Sequence, residues 1–497
     1  MSRANDAVQL LASMLSTERA SGSYFETDLY SHDLTTLPKL AALNWKTKPD
    51  VVVTPRSTAD VRTILAVARE TKVPVVPRGA GTTMFGASVP TRGGILVDMR
   101  SMNKILSVDK DAARIEAEAG CTWLDAMRAA ESAGLSIPVH PVFAPSSTLG
   151  GCLASGMIGF GALKHGSPRD WAVGSEVVLE DGTVLTPPEP LPPPQVSHLL
   201  EGSEGTLGII SKVTLRCLPA PEEIRPLAYS FPTIPDALRP MMAAVTDGPD
   251  AWHIGFLDEI HFKFEHNLEP ATPERKSEVY VVLEGAKENM AEREKAVDSI
   301  MTSSAGIKIP NVEAAKSWQS RFDVFRTRRI SGGLVVIPSI VPANKLAEAV
   351  ARTRALAAKM KINVALAGFL AGKDSILFLP YYLTDDSRLT GQMALGFVPR
   401  FYKMLVGLGG YPQGLELLNH YRTKGVAAVL VKRPMAVRMS FDQTRAASPA
   451  RKIGRHTRHP APFGKVHPAL MAVRLGLNGG LRKLGRRYRY DQPKKTS

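Results

Sequence analysis

The sequence is poor in cysteine and aromatics and has no long apolar run, and these shortages narrow what it can be. Its three cysteines, Cys121, Cys152 and Cys217, stand far apart and form no C-x-x-C pair, which argues against an iron–sulfur cluster or a structural zinc. They read as core residues. No stretch reaches the roughly 18 apolar residues of a membrane-crossing helix. The amino-terminal MSRANDAVQLLASMLSTERA carries Asp6 and Glu18 and no A-x-A-like cleavage signal, so it reads as an ordinary amphipathic helix of a cytoplasmic protein.

What is present is an ordinary globular composition, 44% hydrophobic and 22% charged over 497 residues, enough for roughly three domain-sized units and a cleft between them. The net charge of +15 is unevenly placed. Residues 421–497 hold 19 Lys and Arg against 2 Asp and Glu, while the rest of the chain holds 43 against 45. A nucleic-acid-binding surface would spread its charge differently, so an anionic partner is to be sought at the carboxyl end. There, Leu470, Val473, Leu477, Leu481, Leu484 and Tyr488 recur at steps of three or four among arginines. This pattern suits an amphipathic helix on an anionic membrane, with a solvated or disordered extension, or docking to an acidic protein or to RNA, as the other readings.

Between Pro49 and Pro219 the chain alternates β-branched runs, helical periods and Gly-rich turns. VVVTP at Val51 reads as a strand, Ser57 or Thr58 as the cap of a helix to about Thr71, and VPVVP at Val73 as a second strand. GILVDM and ARIEAEAG continue the series, and Thr122–Ala133 reads as a helix ending at Gly134. VGSEVVLEDGTVL reads as a hairpin turning at Asp181-Gly182, and GTLGIISKVTLRCLP as a closing strand. PPEPLPPP, from Pro187, reads as a stiff polyproline connector. The division is an amino-terminal helical segment at 1–46, an α+β unit with two parts at 47–219, a second α+β domain at 220–425 and a basic tail at 426–497.

Three Gly-rich loops stand out. Arg78-Gly79-Ala80-Gly81-Thr82-Thr83 follows directly on a strand, where glycines let backbone N–H groups converge on an anion. It lacks the dinucleotide fingerprint, since no helix opens on its glycines and no acidic residue is expected at a strand end about 20 residues on. Ser147-Thr148-Leu149-Gly150-Gly151 opens a stretch with six glycines up to Gly166, more than one turn needs, implying close approach of backbone to a bulky ligand. Glu201-Gly202-Ser203-Glu204-Gly205-Thr206-Leu207-Gly208-Ile209 stands just ahead of the closing strand. One such loop means little; three in one domain point to a cofactor.

PDVVVTPRSTADVRTIL, VPVVPRGAGTTMFG, GGILVDMRSMNKIL, SSTLGGCLASG and LLEGSEGTLGIISKVTLRCLP together resemble the PCMH-type FAD-binding domain of the vanillyl-alcohol oxidase superfamily. Residues 20–425 resemble its D-lactate dehydrogenase and glycolate oxidase FAD-subunit branch. The resemblance implies an α+β fold, with a two-subdomain FAD-binding domain followed by an α+β cap, the FAD-linked oxidase C-terminal domain. It implies that Arg78, Gly79, Ala80, Gly81, Thr82 and Thr83 hold the FAD pyrophosphate. Ser147, Thr148, Gly150, Gly151 and Ser155 would line the flavin, and Gly205, Gly208 and Ile209 support its ring and ribityl chain. Relatives that attach flavin covalently use a His in the first loop; none is present here, so FAD is expected to bind noncovalently, with Cys152 and His165 the residues through which an unusual attachment would run.

In the cap, AKSWQSRFDVFRTRR resembles a family helix whose Arg after a Trp pairs with a substrate carboxylate. That places Arg321 on a small anionic organic substrate, with Arg326 about a turn later; a solvated basic helix face is the alternative. The family's metal-binding G-H-x-G-D-G-N-x-H and G-E-H-G motifs are missing. AGFLAGKDSILF puts Phe369 where the first His would be, and GGYPQGLELL puts Glu416 and Leu417 near the second without a His. No metal site is expected. His420, with His261 and His266, are the candidate general bases, and Tyr381, Tyr382 and Tyr402 candidate donors to an oxyanion.

These features suggest an FAD-dependent oxidoreductase that transfers a hydride from a small 2-hydroxy acid or related alcohol to flavin N5, with oxygen, a quinone, a cytochrome or an iron–sulfur redox partner as the electron acceptor. The alternatives are a flavin-dependent transferase like the ether-lipid synthases, with Arg326, Arg328 and Arg329 facing a phosphate, and a non-catalytic FAD-binding electron-transfer subunit. The expected location is cytoplasmic, with peripheral contact to the inner membrane surface through the tail.

Overall fold

The computed structural model describes residues 3–34, 46–83, 86–90, 92–186, 202–205, 207–268, 275–385, 391, 394–411 and 412–413. The polyproline connector, His420, Glu416, Leu417 and the basic tail lie outside the described residues. Within them, no helix is long and apolar enough to cross a membrane.

The first part begins with the helix Arg3–Leu15, whose Ala7, Leu11 and Leu15 recur every four residues and are buried, one face against the core. The helix Thr58–Thr71 starts where the Ser57 side chain accepts a hydrogen bond from Asp60 N and stops at Lys72, in a left-handed conformation. Both pack on a sheet in which Val51–Val53, Ile95–Asp98 and Val75–Arg78 run parallel. The sheet order places Val75–Arg78 at one edge, so the loop after Arg78 leaves from the carboxyl end of an edge strand. The strand Ile95–Asp98 corrects one expectation, because an acidic residue does close a strand about 20 residues beyond the first loop. Its carboxylate is committed to Tyr30 Oη at 2.6 Å and to Arg100, since Asp98 caps the turn Met99–Ser101.

The second part is an antiparallel sheet ordered Ile105–Asp109, Arg114–Glu118, Ile209–Arg216, Ala172–Val178, Val184–Leu185. Gly182, at φ +86°, makes the turn before Val184–Leu185. The helix Trp123–Ser132 is capped by Thr122 and followed by Gly134 at φ +74°.

From Glu223 a nine-stranded antiparallel sheet forms the cap. Its strands alternate between two environments, as a pleated strand must. Ile376, Phe378 and Tyr382 enter the core shared with the helices Ile234–Thr246, Met290–Thr302, Leu346–Met360 and Phe397–Val406. Leu377, like Phe369 on the neighbouring strand, instead joins a cluster with Phe160 and Val142 of the first half. This second face meets the first half of the chain, an approach fixed by Trp252 Nε1 donating to Pro138 O at 2.8 Å and by His165 Nε2 against Glu284 Oε1 at 2.8 Å. The helix expected across AKSWQSRFDVFRTRR is shorter than the motif. It ends at Gln319, and Ser320–Ile330 continues as 3-10 turns, so Arg321 lies on an irregular segment at the domain junction.

On the cap's outer edge, Glu294 resists the upward push of burial because Asn311, Lys308 and Arg225 hydrogen-bond it, and its pKa falls to about 2. A depressed carboxylate stabilises the fold above its unfolded pKa and loses that contribution as pH falls through its folded value. The melting temperature is therefore expected to drop between about pH 4.3 and pH 2, and Glu294→Gln to flatten that part of the profile in a thermal-shift titration. Glu294 and its partners are part-exposed, so solvent screening keeps the effect modest.

Candidate functional site

The three Gly-rich loops converge on one cavity of about 920 Å³, part of it open to solvent. Arg78, Gly79, Ala80, Gly81, Thr82 and Thr83 line it from the first part, Ser147, Thr148, Gly150, Gly151 and Ser155 from the second, and Gly205, Gly208 and Ile209 from the closing strand. Met99, Ala119, Cys152 and Met157 line it as well; as small or apolar residues beside the loops they carry no distinguishing sequence signal.

The loops support one another. Thr82 Oγ1 lies 3.1 Å from Ser147 Oγ, and Thr148 Oγ1 accepts from Gly151 N at 3.2 Å to start the helix Leu149–Ser155. A Cβ on Gly79 would strike Thr148 Oγ1, and one on Gly205 would strike the Pro77 ring, so these glycines let each loop close onto a side chain of its neighbour. Arg78 donates from Nη1 to His32 O at 2.8 Å, and its guanidinium lies 5.4 Å from the Tyr30 ring centroid. Burial pulls its pKa below the usual arginine value. Hydroxyls, backbone N–H groups, a cation and an apolar floor in one cleft fit an FAD: donors for the pyrophosphate and flat space for the rings.

Beyond Met157, at the junction with the cap, stands a box of aromatic rings. Phe160 stacks on Phe369 with centroids 5.6 Å apart and meets Trp318 edge-on at 5.3 Å; Trp252 meets Trp318 at 5.7 Å, also edge-on. Two histidines are built into it. His140 lies 5.6 Å from Phe322, and His253 lies 4.9 Å from Phe160 and 5.0 Å from Phe369. Both are buried, and desolvation pushes each down to about 3, so both rings are neutral. Arg321 completes the box, its guanidinium 4.2 Å from the Phe322 centroid and 4.6 Å from that of Trp318. Its Nη1 donates to Trp318 O at 2.9 Å, while Nε is buried without a partner among the described residues. Desolvation brings Arg321 down to about 10, still charged at neutral pH, with distant Glu131 pulling the other way. Arg321 thus lies in an aromatic site, whereas Phe369, read as a lost metal ligand, is one of its walls. His140, Phe160 and the adjacent Trp252 and His253 were not found by sequence reasoning; they come from three distant segments with no shared motif.

The other candidates lie elsewhere. His261 Nδ1 meets Tyr381 Oη and its Nε2 lies 3.5 Å from Glu265, giving it the orienting partners the sequence did not reveal. Tyr382 and Tyr402 donate to the carbonyls of Ala394 and Pro338 at 2.8 and 3.5 Å. His266 lies in the last turn of the helix Glu259–Leu268. Arg326 pairs with Glu265 at 3.8 Å, and Arg329 is exposed. His165 is held by Glu284 and the Trp171 edge. Among the described residues no three His, Cys, Asp or Glu form a group able to hold a metal ion.

Residues 49–186 match the family described as FAD binding domain, and residues 220–414 the family described as FAD linked oxidases, C-terminal domain. The chain is 27% identical to glycolate oxidase subunit GlcD of Bacillus subtilis over 68% of its own length and 73% of the relative's. It is 26% identical to D-lactate dehydrogenase of Anaerostipes hadrus, covering 82% of this chain and 90% of that one. Among solved structures, p-cresol methylhydroxylase with substrate bound superposes with a TM-score of 0.75 at 17% identity, over 90% of this chain and 96% of that one. An alkyldihydroxyacetonephosphate synthase does so with a TM-score of 0.69 at 18% identity, over 89% and 84%. At such identities the structures speak for the fold alone.

Proposed function

We propose that this chain, which belongs to the FAD-linked oxidases through both its FAD binding domain and its C-terminal domain, oxidises the carbinol carbon of a small 2-hydroxy acid held at Arg321. The observation that carries the reading is a guanidinium placed among rings at the domain junction, with Nε unpartnered and no ion pair among the described residues. A buried cation without a counter-ion is costly to keep, and a substrate carboxylate, taken bidentately, supplies what is missing. The named acids of the relatives, glycolate and D-lactate, are of this class.

In this reading Arg78 to Thr83 hold the pyrophosphate, Ser147, Thr148, Gly150, Gly151 and Ser155 line the flavin, and Gly205, Gly208 and Ile209 support it. FAD supplies the two-electron oxidising chemistry. Arg321 fixes the orientation of the acid, and the rings of Phe160, Trp318 and Phe369 keep water from it. A phosphate substrate, as the ether-lipid-synthase-like alternative requires, calls for a cationic cluster; of the arginines suggested for it, Arg326 is engaged with Glu265 and Arg329 faces solvent. A redox partner protein and contact of the basic tail with an anionic membrane belong to the same reading.

The test is anaerobic titration of the FAD-loaded protein with a panel of 2-hydroxy acids. Bleaching of the flavin by at least one of them is expected; no bleaching across the panel sinks the reading. Acid precipitation of the same preparation is expected to release the flavin to the supernatant, because the first loop holds no His. Colour kept in the pellet means covalent attachment.

A further inference from the structure

The first Gly-rich loop is held by a segment that the FAD binding match, which opens at residue 49, does not include. It follows the helix Tyr24–Leu29. None of Tyr30, His32, Asp33 or Leu34 lines the cavity that the loop faces, yet each touches the loop or its arginine. His32 O accepts from Arg78 Nη1 at 2.8 Å, and Leu34 N donates to Thr83 O at 3.2 Å. The buried Asp33 carboxylate accepts from Gly86 N at 2.7 Å and from Thr83 Oγ1 at 3.3 Å. The Tyr30 ring centroid lies 5.4 Å from the Arg78 guanidinium, and the Tyr30 hydroxyl is fixed by Asp98 and Arg100.

Hydrophobic burial does not explain why the segment sits there. Tyr24, Phe25 and Leu29 each expose more than half of their surface, and Thr27 is the buried residue of their helix. The attachment rests mainly on polar contacts, those with the loop and those of Lys48 with Asp28 and the Tyr24 ring. Their chemistry shapes the loop for an anion. The Thr83 carbonyl, which would repel a phosphate, is taken up by Leu34 N, and Arg78 spends one N–H on His32 while its other donors stay with the cavity it lines. Burial works against the Arg78 cation, and Asp33 is first among the charges that support it. A loop already held in its bound shape loses less freedom when the ligand arrives.

We infer that residues 30–34 form a clasp that fixes the first loop in the shape that receives the FAD diphosphate, with Asp33 as its positioning residue. The inference rests on the pyrophosphate role given to Arg78 to Thr83 above, and it makes cofactor retention depend on a segment outside the cofactor cavity. Linkage makes the coupling mutual: bound FAD steadies the clasp by the factor that the clasp adds to FAD affinity.

Two measurements on the full-length protein test it. Titration of flavin-stripped protein with FAD, followed by flavin fluorescence, is expected to show binding about tenfold weaker in Asp33→Ala, where two hydrogen bonds to a carboxylate are lost. Asp33→Asn, whose amide oxygen still accepts, is expected to stay within about threefold of wild type. Hydrogen exchange reads the coupling from the other side. In the wild type, amides of residues 30–34 are expected to exchange at least about fivefold more slowly with saturating FAD than without, while the cap helix Met290–Thr302 changes by less than about twofold. In Asp33→Ala at saturating FAD the protection of 30–34 should be gone.

Unchanged FAD affinity in Asp33→Ala overturns the inference, as does equal exchange of 30–34 with and without FAD in the wild type. Faster exchange throughout Asp33→Ala, the cap helix included, means that Asp33 serves the fold at large and overturns it too. The wild-type comparison needs no variant and decides alone if Asp33→Ala does not fold. Gly81→Val separates the two levels. Weakened FAD binding there, with none lost in Asp33→Ala, removes the clasp alone; undiminished binding in both removes the first loop from the pyrophosphate.

Discussion

Gly81→Val is expected to yield protein that retains less than a tenth of the wild-type flavin. Gly81 sits at φ +66°, and a Cβ there would run into the guanidinium of Arg78. The left-handed conformation alone costs a β-branched residue on the order of 1–2 kcal/mol. The larger effect comes from displacing Arg78, whose side chain spans the loop to His32 O. Once it moves, the loop loses its cation and its shape together. The protein also loses the stabilisation a bound cofactor gives, so its melting temperature should fall toward that of deflavinated wild type. The absorbance ratio of flavin to protein after gel filtration measures the first effect and thermal unfolding the second. Flavin content equal to wild type would remove the first loop from the cofactor site.

Arg321→Met is expected to lower kcat/KM for a 2-hydroxy acid by roughly 10² to 10³, the loss of about 3–4 kcal/mol when a charge-assisted bidentate contact is removed from an apolar site. Flavin content should not change, since Arg321 does not line the cofactor cavity. Stability should hold or rise, because the variant replaces a cation without a counter-ion by a chain that packs against Trp318 and Phe322. Steady-state kinetics with thermal unfolding on the same sample test both halves. Unchanged kcat/KM would remove Arg321 from the substrate site. A marked fall in stability would mean that Arg321 serves the fold.

The cofactor loops were legible because their information is local. At Val75–Gly81 a strand is followed within a few residues by a glycine at φ > 0, and at Ser147–Gly151 a threonine caps the helix that the glycines enter. The end of the strand Ile95–Asp98 was misjudged for an equally local reason: the sequence shows an acidic residue after an apolar run but not that its carboxylate caps the turn beyond it. The extent of the helix before Arg321 was hidden too. Nothing in AKSWQSRFDVFRTRR forbids helix past Gln319, and the 3-10 turns there follow from packing at the domain junction.

The sequence by itself determined the α+β class and the three Gly-rich loops that the structure gathers around one cavity, because strand periods, caps and glycine turns act between near neighbours. Only the tertiary structure decided what surrounds Arg321. His140 and Phe160 come from the FAD-binding half, Trp252 from just before a cap strand and His253 from its first position, Trp318 from the end of a cap helix, Phe322 from the 3-10 turns after it and Phe369 from another strand. Each reads alone as an ordinary core ring. Their polarity and its cost exist only once burial has stripped the water from His253 and Arg321, and burial is a property of the packed chain.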